Sequence, residues 1–356
     1  MRNKTRLWGM YLPFFILMIL GAVTLRTIAF ITDFNFKYHY FISNTLPAIA
    51  NALIAAVIFF FIIYIIGIKR KPNLIPDFSS PANYIPSAAL AAALAFIAVE
   101  FFFSYRSYSA TLELAKYMKS FPTNIAALNV ISILLIFAAI FSIVYLVLNT
   151  VFIRTVSARR ATFGLAIIIF FSLYLSYLYF DSSAPITSPI KTVDELTYAF
   201  TAVFFLYEIR LSLGREKWRA YLIFGFIAAA LAAYSAIPAI IIYFAYGRVI
   251  ANSLFGTVLT LAVLIFISSK LMLVDRLTEA DESPFVTKMK EHAARREEEL
   301  NPKFNDTDSE TEIIEQSETP DENQISILDA EKGEEADSGA EESANTSNIS
   351  DSEEHT

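Results

Sequence analysis

Eight long apolar segments occupy most of the first 274 residues of this 356-residue chain. Six of them contain no Asp, Glu, Lys or Arg, and all eight have 18 to 29 residues. Helices of this length cross the hydrocarbon core of a bilayer, which is about 30 Å thick. Because backbone N–H groups in lipid must be satisfied within their own segment, helices are favoured over strands. The sequence therefore predicts an all-α integral membrane protein with a bundle of about eight transmembrane helices, at residues 7–25, 47–68, 84–103, 125–153, 161–180, 196–213, 220–246 and 249–269.

Charge divides the chain into a basic body and an acidic tail. Residues 1–274 carry a net charge of +12, whereas residues 275–356 carry −19. Residues 275–302 predict a juxtamembrane helix, since Pro284 suits a first helical position and Pro302 ends the segment. Residues 303–356 are acidic, rich in Ser and Thr and without aromatic residues after Phe304. Such a composition buries too little surface to fold, so a disordered tail is predicted.

The distribution of basic residues predicts the orientation in the membrane. With the N-terminus cytoplasmic, the inner side holds 14 Lys and Arg residues and the outer side seven, as the positive-inside rule requires. The first apolar run is too long for a signal peptide, so it is interpreted as a retained span. The sequence thus predicts a multi-pass cell-membrane protein with both termini cytoplasmic. In this arrangement Arg26 and Lys191 lie in outer connections, and Lys270 follows the last span.

Two outer connections have distinctive compositions. Residues 104–124 predict a loop with a short helix that ends before Pro122. Residues 181–195 contain Pro185 and Pro189 and several turn formers, which favours a rigid, irregular loop. Pro238 lies inside the seventh segment and is a candidate for a kink.

The residue types needed for common enzyme chemistry are missing or scattered. The chain has no cysteine, and His39, His292 and His355 are far apart in sequence. HExxH, Walker A and GxGxxG motifs are all absent. The sequence therefore predicts no catalytic site, no cofactor and no metal, and it indicates no nucleic-acid partner. An enzymatic function is disfavoured but stays open.

Charged residues within a span are candidates for function, because placing them in the membrane is costly. Glu208 is the strongest candidate, with Arg215 two turns further along the same helix face. It is either an ion-coupling carboxylate or part of an interfacial ion pair, with Arg210 reaching the headgroups. Glu100 either faces an outer vestibule beside Arg106 or reaches the outer headgroups.

Polar residues without charge are expected mainly to hold helices together. Three asparagines within the spans are expected to form hydrogen bonds to neighbouring helices: Asn51, Asn129 and Asn149. Three tyrosines near the outer end of the fifth span predict an interfacial aromatic belt or, alternatively, a ligand-stacking surface: Tyr174, Tyr177 and Tyr179. Asp181 lies only at the end of this span.

One stretch resembles a known group of proteins. Four residues of the 181–195 connection are followed by FFLYEIRLSLGR at Phe204–Arg215: Asp181, Pro185, Pro189 and Lys191. Together they resemble an uncharacterised family of bacterial polytopic membrane proteins over about 40 residues. No activity is attached to that family. The resemblance implies only that Glu208, Arg210, Arg215 and the connection that begins at Asp181 belong among the candidate site residues.

Two classes of function fit these features best. A non-enzymatic sensor or scaffold would sit in the lipid bilayer and recruit a cytoplasmic protein partner through the acidic tail. The alternative is a small-solute or ion transporter or channel, which would need polar groups near the middle of the membrane. The central parts of the predicted spans contain few such groups.

Overall fold

A computed structural model describes residues 11–36, 38, 40–68, 81–117, 123–151, 162–181, 185, 188–212, 217–250 and 253–274. The predicted juxtamembrane helix and acidic tail lie outside these residues. Within them the chain forms eight helices of 16 residues or more: α1 (Tyr11–Thr32), α2 (Thr45–Gly67), α3 (Pro81–Tyr117), α4 (Thr123–Val151), α5 (Leu165–Phe180), α6 (Pro189–Ser212), α7 (Trp218–Tyr246) and α8 (Leu254–Leu273).

Six of these helices are long and apolar enough to cross a membrane: α1, α2, α3, α4, α7 and α8. Helix α5 is apolar but shorter, and α6 carries several charged residues. Large apolar side chains are exposed on the outside of the bundle, as on α2, where Phe59, Phe60, Ile63 and Ile66 point away from the core. An apolar exterior on an all-α fold is typical of a protein surrounded by lipid. The described chain is therefore an all-α, multi-pass membrane protein.

Helix α7 lies at the centre of the bundle. It packs against α1, α2, α6 and α8, and it is the most buried of the six long apolar helices. Small residues allow this close packing, as in the run Ala228–Ala233, where alanine occurs at five of six positions. A Cβ atom added at Gly225 would lie 3.0 Å from side-chain atoms of Phe204 and Leu271. The contact between α6, α7 and α8 therefore depends on the missing side chain at Gly225.

A short β-hairpin joins α1 to α2. Strands β1 (Phe34–Asn35) and β2 (Tyr40–Phe41) are antiparallel, with Phe34 opposite Phe41. Both phenylalanines pack on Phe30, with ring centroids 5.0 and 5.1 Å away. The sequence analysis predicted no strand in this connection, because two-residue strands leave too short a pattern to recognise.

Several helices extend beyond the predicted spans. Helix α1 continues past Leu25 to Thr32, and α3 continues from the predicted span to Tyr117. Residues 104–124 were predicted to form a loop with a short helix before Pro122, whereas residues 104–117 continue α3 as regular helix. Helix α7 is continuous through Pro238. The largest difference concerns α6, which begins at Pro189 inside the predicted irregular loop.

Candidate functional site

The early start of α6 creates the candidate site. Pro189 suits the first turn of a helix because its missing N–H would have no intrahelical partner there. The N–H of Thr192 donates to the carbonyl oxygen of Ser188, which is the first hydrogen bond of the helix. Lys191 and Asp194 therefore lie on a helix, and both are buried. Both residues were expected in an outer loop, but they belong to the first turns of α6.

One face of α6 is buried along its whole length. The buried residues recur every three or four positions, as expected for one helix face: Asp194, Thr197, Tyr198, Thr201, Phe204, Phe205 and Glu208. Asp194 and Glu208 mark the two ends of this face. Fourteen residues separate them, which corresponds to about 21 Å along a helix axis. The same face thus presents a carboxylate to the interior at each of two distant levels.

A small polar cavity lies where Asp194 faces α5, α7 and α8. Its volume is about 10 Å³, enough for one particle the size of a water molecule. Besides Asp194, six hydroxyl-bearing residues line it: Tyr174, Tyr198, Ser235, Ser253, Thr257 and Thr260. Ser235 and Thr260 come from the central parts of predicted spans, where few polar groups were expected, whereas Ser253 is the N-cap of α8.

Hydrogen bonds connect the groups around the cavity. The hydroxyl of Ser235 donates to the carboxylate of Asp194. The hydroxyl oxygen of Tyr198 lies 2.6 Å from that of Thr260 and 3.2 Å from the carbonyl oxygen of Gly256. A Cβ atom at Gly256 would lie 2.9 Å from the hydroxyl oxygen of Tyr174. Glycine at this position therefore leaves room for Tyr174 to reach the cavity.

A buried arginine lies next to this network. Arg26 of α1 is 4% exposed, and its guanidinium lies 4.1 Å from the centre of the Tyr234 ring. Tyr234 donates a hydrogen bond of 2.6 Å to the side-chain oxygen of Asn51. Arg26 also interacts electrostatically with Asp194. Arg26 was expected in an outer connection, but α1 continues past it to Thr32.

Glu100 lies beside the start of α8, and Asp181 lies at the end of α5. Ser253, the N-cap of α8, donates a hydrogen bond of 3.1 Å to Glu100. Asp181 ends α5, and its carbonyl oxygen accepts a hydrogen bond of 2.8 Å from the ammonium of Lys191. Glu100 therefore contacts the N-cap of a helix that lines the cavity, and the two expectations for this residue stay predictions.

Glu208 pairs with Lys270 on α8. The carboxylate oxygen lies 3.1 Å from the ammonium nitrogen, and both side chains are buried. Arg210 is half-buried, with its guanidinium 5.8 Å from the centre of the Tyr207 ring. Arg215 lies outside the described residues. Among the described residues, Glu208 is thus paired with a lysine that was expected to follow the last span.

Aromatic rings separate the level of Glu208 from that of the cavity. Phe205 of α6 stacks on Phe171 at 5.9 Å and on Phe266 at 5.4 Å between ring centroids. All three side chains are buried. Glu208 and Glu100 consequently do not meet in one cavity.

The uncharged polar residues agree only partly with the contacts expected for them. Asn51 and Asn129 both accept hydrogen bonds from neighbouring helices, from Tyr234 and Ser109 respectively, as predicted. Tyr179 is exposed, which fits an aromatic belt, but Tyr174 is 4% exposed and lines the cavity.

The chain has no match among protein-family models, curated proteins or solved structures. The resemblance to bacterial polytopic membrane proteins stays a prediction. Within the described residues, no group of three or more His, Asp or Glu side chains could hold a metal ion.

Asp194, the central residue of the site, was missed by the sequence analysis. One signal could have found it, since Ser188-Pro189 is a typical helix start. Extending α6 to that point puts Asp194 on the same face as Glu208. No comparable sequence signal indicates that Ser235 and Thr260 lie beside Asp194, because these residues are distant in the chain.

Proposed function

We propose that this chain is a membrane transporter for a small solute or an ion, with Asp194 as the residue that binds the transported or coupling cation. The observation that carries the proposal is the buried carboxylate of Asp194 beside a polar cavity between four helices. Ionisable groups inside a membrane bundle are costly, and they commonly mark the path of a substrate or ion. Polar cavities between helices are also the usual place for small-ligand sites.

The second carboxylate on the same face supports this proposal. Glu208 lies about 21 Å further along α6, beyond the aromatic rings around Phe205. Two polar levels separated by an apolar layer suit a carrier that exposes its site to one side at a time. A protein that only anchors a tail would not need two such polar levels.

We further propose that α5 and α6 also cross the membrane, which gives eight crossings with both termini cytoplasmic in the cell membrane. The low hydropathy of α6 follows from charges that face the protein interior, where α5, α7 and α8 shield them from lipid. The excess of basic residues on the inner side supports the orientation. Recruitment of a cytoplasmic partner through the acidic tail stays a prediction.

Ion flux into liposomes tests the transport proposal. Purified protein would be reconstituted with a dye for internal pH, and an imposed membrane potential would drive proton or radiolabelled sodium uptake. We expect uptake above that of protein-free liposomes. Asp194→Asn should reduce it to the protein-free level, whereas Glu113→Gln, a change to an exposed carboxylate on α3, should leave it unchanged.

Absence of proton and sodium flux at potentials of either sign would contradict the proposal. The sensor or scaffold function would then be favoured. It predicts instead that deletion of residues 303–356 abolishes binding of a cytoplasmic partner while the bundle remains folded.

A further inference from the structure

The hydroxyl protons around the cavity are already committed to other acceptors. Besides the bond from Ser235 to Asp194, Ser253 donates to Glu100. Thr257 donates to the carbonyl oxygen of Ser253 at 3.2 Å. A cavity wall whose donors are all used presents oxygen lone pairs to whatever occupies the space.

The same holds for Thr260 and Tyr198. Thr260 donates to the carbonyl oxygen of Gly256 at 3.0 Å, and Tyr198 donates to Thr260 or to that same carbonyl. The cavity therefore offers oxygen lone pairs to its occupant, and the carboxylate of Asp194 beside them makes this lining suited to a cation.

The charges around the cavity limit this cation to a single positive charge. Asp194 lines the cavity, and Glu100 is bonded to its wall through Ser253. Arg26 and the positive N-terminal end of α8 offset part of this negative charge. Calcium sites, by contrast, are built from six to eight oxygen ligands that include several carboxylates.

We infer that this cavity is a binding site for one small monovalent cation of the size of Na⁺. Its volume of about 10 Å³ fits one ion without a hydration shell. The carboxylate of Asp194 supplies the charge, and hydroxyl oxygens such as that of Thr257 replace water as ligands. The inference rests on the proposed transport function, because it names the ion to which transport is coupled.

Thermal unfolding of the full-length protein in detergent tests the inference. Melting would be followed in NaCl, LiCl, KCl and choline chloride at equal ionic strength. An ion that binds only the folded state raises the unfolding temperature in proportion to the logarithm of its concentration above its dissociation constant. We expect a rise with Na⁺ that K⁺ and choline do not produce.

Two variants localise the effect. Asp194→Asn should abolish the rise with Na⁺. Thr257→Val keeps the shape of the side chain but removes one oxygen, and should weaken Na⁺ binding by roughly ten- to hundredfold. Thr24→Val is the matched control, since Thr24 makes the same hydrogen bond to the preceding helical turn but is exposed on α1. If Asp194→Asn does not fold, the two threonine variants still decide the result.

Equal melting temperatures in all four salts would overturn the inference, as would equal Na⁺ responses of the two threonine variants. Equilibrium binding of radiolabelled Na⁺ gives an independent readout, with one ion per chain expected. Proton flux that depends on Asp194, without any Na⁺ binding, would refute the sodium site but leave the transport proposal standing. Na⁺ binding without any flux would refute transport but leave the site standing.

Discussion

The buried pair of Glu208 and Lys270 allows a quantitative prediction of stability. At an effective dielectric constant of about 20, two unit charges at their separation of 3.1 Å attract each other by about 5 kcal/mol. Glu208→Gln leaves the buried ammonium of Lys270 without this carboxylate. Removing one member of a buried pair costs about 3–5 kcal/mol, because the remaining charge keeps its desolvation penalty.

A double-mutant cycle separates the pair from other effects of each substitution. Lys270→Met removes the charge but retains most of the volume, so the double variant contains no uncompensated charge from this pair. We expect it to be more stable than the sum of the two single effects predicts, by up to about 3 kcal/mol. The free energy of unfolding would be measured by titrating purified protein in mixed micelles with a denaturing detergent.

The control is Glu113→Gln, the same change at an exposed position on α3. It should alter stability by no more than about 0.5 kcal/mol. If Glu208→Gln were equally mild and the two single effects were additive, the pair would behave as an exposed one worth about 0–1 kcal/mol. That result would show that the pair is not effectively buried. It would favour the interfacial ion pair that the sequence offered as one alternative for Glu208.

Three further predictions concern packing and topology. Tyr234→Phe removes one buried interhelical hydrogen bond and should lower the free energy of unfolding by about 0.6–1.7 kcal/mol in the same titration. Gly225→Val overpacks a tight contact between helices and should cost about 1–3 kcal/mol, whereas Gly67→Val, with no atom within 4 Å of the added Cβ, should cost less. In intact cells, a single cysteine at Ser107 should react with an impermeant thiol reagent and one at Asn73 should not; the reverse pattern would contradict the proposed orientation.

The apolar segments predicted the helices well, but they predicted the ends of those helices poorly. Hydropathy falls where a charged residue appears. The first predicted span therefore ended at Leu25, and the sixth predicted span began only at residue 196. In the structure the helices continue through Arg26 and begin before Asp194, since both side chains are buried against other helices. A charge ends a span only when it faces lipid, and the sequence alone does not show which way it faces.

The partner of Glu208 shows the same limitation. From the sequence, a residue two turns away on the same helix was the natural choice for an ion pair. The structure pairs it with Lys270, 62 positions later on α8, because α6 and α8 approach each other with these side chains at the same level. Contacts between distant helices depend on packing, which spacing along one helix cannot predict.

The sequence by itself determined that the chain is all-α and contains several helices suited to a membrane. That outcome follows from composition and length. Lipid offers no hydrogen-bond partners to the polar backbone of an apolar segment, so the backbone must form its hydrogen bonds internally. Only the tertiary structure decided that Asp194 meets hydroxyl groups from α5, α7 and α8 around one small cavity. Those residues come together through helix packing, where small residues such as Gly225 set how closely the helices approach and therefore which side chains face each other.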